Sequence, residues 1–465
     1  MPPTVNRTIL HQKTPMVNRP LSKGRKRLRV NRALSSPNVQ NSAQKCFIYK
    51  RNLSNGLHQE MWLTKTVKAK IAQKDPIAAF ILVFNSIVWY TLAYDTFSNA
   101  IRRLQIPFPE QLMFFIVYYI GAGCSAILGS IFFSRARKTG FLIWVVSGVV
   151  MTILLTTIAN NNMPINILIC LFLGISIGIG LPSCLAYFAD VTTVENRGVS
   201  GGVTWIAVGF GTLILALFLN TLNTVMGLLT LAIWRISCFI AFPFLTSEKV
   251  IRQTHTVPSF RSILQRREVM LYLIPWIMFS LVNFTEAPML DRLFGDFRNL
   301  VVFIEFALMG SFAIIGGLLA DHVGRKRVII TGFVMLGIGY ATLSVFSATQ
   351  VSWYLYTVFD GIAWGMFAAV FFMALWGDLA EHYEKEKYYA LGGLPFLLAG
   401  FLPIIIGPYA GTIEVVAAFS LASFFLFLAV LPLMYAPETL PEKRIKEREL
   451  KGYVEKAKKT KEKYT

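Results

Sequence analysis

The chain has 465 residues, of which 55% are hydrophobic and only 15% charged, and its mean hydropathy is +0.55. That balance excludes an ordinary soluble domain, which is about 45–50% apolar. The net charge of +20 suggests nucleic acid at first sight, but its location argues for a lipid bilayer instead: sixteen Lys or Arg and one acid, Glu60, fall in residues 1–74, and most of the remaining excess lies at the ends of apolar runs and in the C-terminal tail. Basic segments beside a membrane are drawn to anionic headgroups.

Residues 1–60 are polar, rich in Pro, Asn, Ser and Arg, with no apolar period, and read as a disordered tail without a signal-peptide core. Met61-Trp62-Leu63 opens a short stretch, 61–74, that suits an interfacial helix and an alternative translation start. Twelve apolar runs follow, near 76–101, 111–134, 140–159, 164–188, 197–220, 224–246, 269–290, 299–320, 327–348, 351–378, 388–408 and 411–435. Each approaches the ~20 residues needed to cross hydrocarbon as a helix. The expected fold class is an all-α integral membrane protein of two pseudo-symmetric six-helix bundles, 75–246 and 269–436. A polar linker, 247–268, joins them, and a charged tail, 437–465, ends the chain.

With the N-terminus inside, the even-to-odd connections carry fourteen Lys or Arg and the opposite ones four. The positive-inside rule then places both termini in the cytoplasm, with the plasma membrane as the expected location. None of the five cysteines forms a CxxC pair, and four lie in apolar runs as small hydrophobes. No cofactor or metal is expected.

The halves repeat. Gly129-Ser-Ile-Phe-Phe133-Ser-Arg-Ala136-Arg137-Lys138 follows the second run, and Gly317-Leu-Leu-Ala-Asp321-His-Val-Gly324-Arg325-Lys326 follows the eighth. Asp190 and Arg197 after the fourth run answer to Asp378 and Lys385 after the tenth. All these landmarks share one offset, 188 residues. Duplicated six-helix halves are a transporter signature.

These residues resemble the major facilitator superfamily, whose loop after the second helix reads G-x-x-x-D-(R/K)-x-G-R-(R/K). Gly317, Asp321, Gly324, Arg325 and Lys326 fit it. In the first-half copy Phe133 stands at the acid and Ala136 at the second glycine, so a weaker latch is expected there. Asp190…Arg197-Gly198 resembles the signature after the fourth helix, and Pro437-Glu438-Thr439 the C-terminal element. The resemblance implies alternating access between two bundles, with cytoplasmic latches holding the outward-facing state. Asp321 is expected at the start of the fifth helix near Arg197 and Gly198, because a carboxylate can accept its free N–H groups and meets its positive dipole end. Arg325 can fork onto a carboxylate, Asp378 by analogy. Arg137, Lys138 and Asp190 complete the expected cytoplasmic gate.

Ionisable residues inside hydrocarbon usually face a cavity or a partner. Asp360 lies near mid-depth in the tenth run, one of the four runs that line the cavity in the family, and is the leading substrate or proton group. Asp95 and Glu286 are expected to face one another across an outer vestibule, with Asn283 as the repeat counterpart of Asp95. Tyr90 and Trp364 are aromatic wall candidates. Arg235 and Glu305 read as structural.

No GxxxxGK(S/T) loop is present, which argues against an ATP-driven pump. No HExxH occurs and no histidine lies in an apolar run, which argues against a membrane enzyme. The expected function is secondary or facilitative transport of a small solute by a monomer, with H+ as a candidate coupling ion. The fifth run lacks the Gly-Pro pair of the superfamily's antiporters, which weighs against the alternative of drug or metabolite efflux. A non-transporting sensor or scaffold is the other alternative.

Overall fold

The computed structural model describes residues 74–158, 162–245, 258–380, 384–440 and 450. The expected N-terminal tail with its interfacial helix and second start (up to residue 73), the first half of the linker, and most of the C-terminal tail lie outside the described residues. The described residues belong to one compact unit, Ala69–Thr465, and contain no β-strand.

Among the described residues, eleven helical stretches are long and apolar enough to cross a bilayer, and the division of one of them gives twelve helices. They are α1 (Asp75–Arg103), α2 (Phe108–Phe132), α3 (Arg137–Thr157), α4 (Met163–Val191), α5 (Arg197–Asn220) and α6 (Thr224–Phe244). Then come α7 (Arg267–Phe294) and α8 (Arg298–Val323), followed by α9 (Arg325–Phe346), α10 (Gln350–Leu379), α11 (Glu386–Tyr409) and α12 (Val415–Tyr435). The pair α7 and α8 is nearly continuous, 57 residues from Arg267 to Val323. That is about twice what one crossing needs, and the three-residue turn Gly295–Phe297 divides it. The protein is therefore a multi-pass, all-α membrane protein.

The apolar runs locate these helices to within a few residues. Prolines act less uniformly than the sequence suggests. Pro182 and Pro403 each open a new helical segment just after a break, where a missing N–H is tolerated. Pro395 sits inside the uninterrupted segment Glu386–Ala399. The part of the expected linker that is described contains a short helix, Phe260–Leu264, capped by the Ser259 hydroxyl.

The most extensive helix pairing joins α5 to α8. It depends on small residues. A Cβ placed on Gly202 would lie 2.8 Å from Ile314 Cα, and one on Gly209 would lie 2.8 Å from the Phe306 carbonyl oxygen. In lipid no hydrophobic effect drives helices together, so close backbone approach supplies the dispersion contacts that do. Replacing Gly202 by Leu is expected to cost at least about 1–3 kcal/mol of stability. A detergent melting curve superimposable on that of the unsubstituted protein would show that the α5–α8 contact is looser than described.

Candidate functional site

Two groups of charged side chains close one end of the helix assembly. Around Asp321, at the last turn of α8, the carboxylate accepts the backbone N–H groups of Gly198 (3.0 Å) and Val199 (2.7 Å) in the first turn of α5. The approach needs glycine: a Cβ on Gly198 would stand 2.6 Å from the Gly317 carbonyl oxygen. Arg325 opens α9 and is completely buried. Its Nη1 pairs with Asp321 and its Nε donates to Asp378 Oδ2 at 3.0 Å. The other Asp378 oxygen accepts from Arg197 Nη1. Arg197 also holds the Ala189 carbonyl at 2.6 Å, beyond the end of the α4 core. Two bases and two acids thus share one dry, electrically neutral cluster.

Gly324 makes the turn between α8 and α9. Its φ of +107° lies in the region open to glycine. A Cβ there would also sit 2.6 Å from the Glu438 carboxyl carbon. Glu438 accepts the N–H groups of Arg325 (2.7 Å) and Lys326 (3.2 Å), so it caps α9. The Lys326 ammonium reaches the Met434 and Ala436 carbonyls at the end of α12. The Pro437-Glu438-Thr439 element is thereby tied to the motif.

The second cluster holds Arg137, Asp190, Lys385 and Glu386. Arg137 contacts Asp190 Oδ2 at 2.7 Å and Glu386 Oε1 at 2.6 Å, and Lys385 pairs with the other Asp190 oxygen. Arg137, Asp190 and Lys385 are the 188-residue counterparts of Arg325, Asp378 and Arg197. Phe133 is buried against Gly140 in place of the acid. The carboxylate is supplied instead from the opposite side, by Glu386 in the first turn of α11. There it faces a positive helix end, as Asp321 does at α5. The second cluster thus contains as many acids and bases as the first despite Phe133, although Arg137 and Asp190 are more exposed, 17% and 11%, than the charges of the first. The exchange was legible in the numbering, because Glu386 is the counterpart of Gly198. Lys138 is exposed at the start of α3.

Between these clusters and the other end of the helices lies a cavity of about 590 Å³, lined from α1 through α5 and from α7, α8, α10 and α11. Ser86, Tyr90, Tyr94, Ser98 and Arg102 recur every four residues and form one stripe of α1 on its wall. Asp360, Trp364, Asn283, Tyr90 and Asp95 all line it. Asp360 is buried, with the Tyr356 hydroxyl 3.4 Å from its Oδ1 and the Tyr340 hydroxyl 3.5 Å beyond. Asp95 is open to solvent and bonds Asn99.

Glu286 is not among the residues that line the cavity beside Asp95. It is buried at the edge of the α7 stripe that carries the lining residues Asn283, Ala287 and Leu290, and its Oε2 has no hydrogen-bond partner. At 3.6 residues per turn Glu286 stands about 60° round the helix from Asn283, which leaves Asn283 on the cavity side. Glu305 and Arg298 correct the reading in the other direction. Both line the cavity and pair with each other at 3.3 Å, and Arg298 Nε also bonds Asp291 at 2.9 Å. Arg298 was hidden in the sequence as a simple helix-start base. Seven residues separate it from Glu305, two helical turns on one stripe, and that spacing was the available signal.

The cavity does not reach the charged clusters. Its lining continues to Arg102, Arg298 and Ile404, at the opposite helix ends, so it opens away from the latch. A solved structure of the major facilitator superfamily transporter FucP in the outward conformation has the same architecture. Its TM-score is 0.64 at 10% identity, over 78% of this chain and 98% of that one. The superfamily's sequence model matches residues 271–462.

This is the major facilitator superfamily fold.

The human organic anion transporter MFSD10 shares it, with TM-score 0.59 at 12% identity over 78% of this chain and 99% of that one. So does the proton:xylose symporter XylE, with 0.57 at 15% over 79% and 96%. No curated protein matches the chain by sequence. The first charge cluster holds Asp321 and Arg325 of the segment 317–326 and the second holds Arg137 of its first-half counterpart, while Glu305 and Asp360 lie on α8 and α10.

Two outcomes test the clusters. Asp321→Asn removes the charge that neutralises Arg325 and weakens the α5 cap, and breaking a buried pair costs about 3–5 kcal/mol. The variant is expected to open the latch end, so that a cysteine placed at Ala287 reacts more slowly with a membrane-impermeant thiol reagent from the cavity mouth. An unchanged rate would count against the latch. In a double-mutant cycle, Arg137→Gln and Glu386→Gln are expected to couple by roughly 0.5–3 kcal/mol. Additive effects on melting temperature would mean that Glu386 does not take over the missing acid.

Proposed function

We propose that the protein is a secondary transporter that moves a small solute across the plasma membrane by alternating access, here in its outward-open state. One observation carries this reading: a cavity lined by helices from both sequence repeats, shut at one end by two buried charge clusters and continued to the other. The loop charges support placing the shut end in the cytoplasm. The two six-helix halves, 75–246 and 269–436, would rock about the cavity. The clusters suit a latch because Arg197–Asp378, Arg137–Glu386, Lys385–Asp190 and the bonds of Asp321 to the α5 backbone all cross an interface that must separate. Once parted, the same groups become solvated, so the closed and open states can lie close in energy.

Asp360 is the proposed coupling group. Its position well inside α10, beside Tyr356 and in the same cavity as the Arg298–Glu305 pair, supports this role. A carboxyl there can exchange a proton with the open cavity and be enclosed when the bundles rock. Trp364, Tyr90, Asn283 and Asp95 are the proposed wall around the solute. Solved proteins of this fold carry solutes as different as xylose and organic anions, so the fold itself leaves the solute open.

The test is flux in proteoliposomes with an imposed proton gradient. The unsubstituted protein is expected to accumulate solute, and Asp360→Asn to lose gradient-driven accumulation while keeping counterflow exchange. Absence of flux for every solute class, with binding intact, would favour a sensor or scaffold. Gradient-driven uptake by Asp360→Asn equal to that of the unsubstituted protein would remove Asp360 from the mechanism.

A further inference from the structure

Arg235 lies halfway along α6 and has no exposed surface. Its guanidinium is sandwiched between two indoles, 4.6 Å from the Trp89 ring and 4.5 Å from the Trp144 ring. Nη1 donates to the Ser86 hydroxyl at 2.6 Å and to Asn85 Oδ1 at 3.2 Å. Nε and Nη2 are buried with no hydrogen-bond partner, and no carboxylate pairs with the group among the described residues.

The latch arginines show how unusual this is. Arg197 and Arg325 are equally dry, and each meets a carboxylate. A guanidinium cannot shed its proton to escape burial. An unpaired charge in a low-dielectric interior costs several kcal/mol even after relaxation. The two indole faces offset part of that, but they do not neutralise the charge.

Position supplies the rest. Three of the four side chains that hold the Arg235 guanidinium, Ser86, Trp89 and Trp144, line the cavity. The positive charge therefore stands one side-chain layer behind the wall, with apolar rings and little water between it and the lumen. A field in such a medium is weakly screened. The acids at mid-depth, Asp360 and Glu305, belong to the opposite wall. The cavity is thus polarised in net charge: on the α1–α3 side Arg102 offsets Asp95 and leaves the charge of Arg235, and on the α8–α10 side Arg298 offsets Glu305 and leaves Asp360. Its aromatic lining, with Tyr90, Trp89 and Trp144 on that same basic side, suits an apolar body.

We infer that the transported solute is an organic anion: a small carboxylate with an apolar or aromatic body, held against the Ser86–Trp89–Trp144 wall by the uncompensated charge of Arg235. The inference rests on the transport reading above and names its substrate class. Arg235 is a positioning residue, since it acts through the three side chains in front of it. Filling the site brings a counter-charge toward a group that the protein alone leaves without one. A neutral solute of the same shape does not.

The test uses three probes of one shape, benzoate, benzamide and benzylamine, with hexanoate as an aliphatic carboxylate. Binding to the purified full chain is read by thermal stabilisation and by quenching of tryptophan fluorescence. The unsubstituted protein is expected to bind the carboxylates and to bind benzamide and benzylamine roughly ten- to a hundred-fold more weakly, the scale of one charge-assisted bond. Arg235→Gln is expected to remove that preference, and Arg235→Lys to restore most of it. Merely structural roles for Arg235 would alter affinity for benzoate and benzamide alike. Benzamide bound as tightly as benzoate by the unsubstituted protein would overturn the proposal without any variant, and so would the absence of carboxylate binding. Flux of neutral solutes only, equal in Arg235→Gln, would sink the anion assignment and leave transport standing. Carboxylate binding without flux would do the reverse.

Discussion

The arrangement depends on a single carboxylate, that of Asp378, held between two arginines from different parts of the chain. Arg197 begins α5 and Arg325 begins α9, and each sends a guanidinium to one oxygen of the same acid. None of the three side chains is more than 3% exposed. Three charges cannot be dry and stable together unless the fourth, Asp321, balances them. Asp321 is in turn tied to the backbone of α5. One neutral cluster therefore fixes the end of α8, the starts of α5 and α9, and the end of α10 at a common point. The glycines of the repeated motif serve this convergence.

The second cluster solves the same electrostatic problem with a different residue. What the repeat preserves is the neutrality of the group and the presence of an acid at a positive helix end. The position of that acid in the chain is not preserved. Phe133 could replace the motif acid because Glu386, in the facing helix, occupies the same electrical place. A consequence is that half of this latch now resides on α11. The Arg137–Glu386 and Lys385–Asp190 pairs join the two repeats directly, as Arg197–Asp378 and the bonds of Asp321 to the α5 backbone do in the first cluster.

Most of the fold was legible from apolar run length alone, because in lipid a helix is the one open-chain answer to the backbone's hydrogen-bonding demand. The partnership of Asp321 with the start of α5 was legible too, since an acid at a helix end and free N–H groups at another need each other. Side-chain direction was harder to read. Glu286 and Asn283 are one turn apart, and a few degrees of helix rotation decide which of them meets the cavity. Arg298 and Glu305 were visible as charges but not as a pair, because the hydropathy scale locates helix ends without saying which stripe faces inward. Glu386 escaped notice because the motif directs attention to the position where the acid is missing.

Along α10 the winding changes. Residues Ala368–Leu375 form a π-helix, with α-helical turns on either side. Asp360 precedes this segment and Asp378 follows it. A π-helix holds surplus residues relative to an α-helix of the same length, and taking up one of them turns everything beyond it by about 100°. α10 is thus built like a rod with a threaded joint near one end. A twist taken up there would swing Asp378 out from between its two arginines while the turn bearing Asp360 stayed still. The helix that holds both acids has a place where they can move independently.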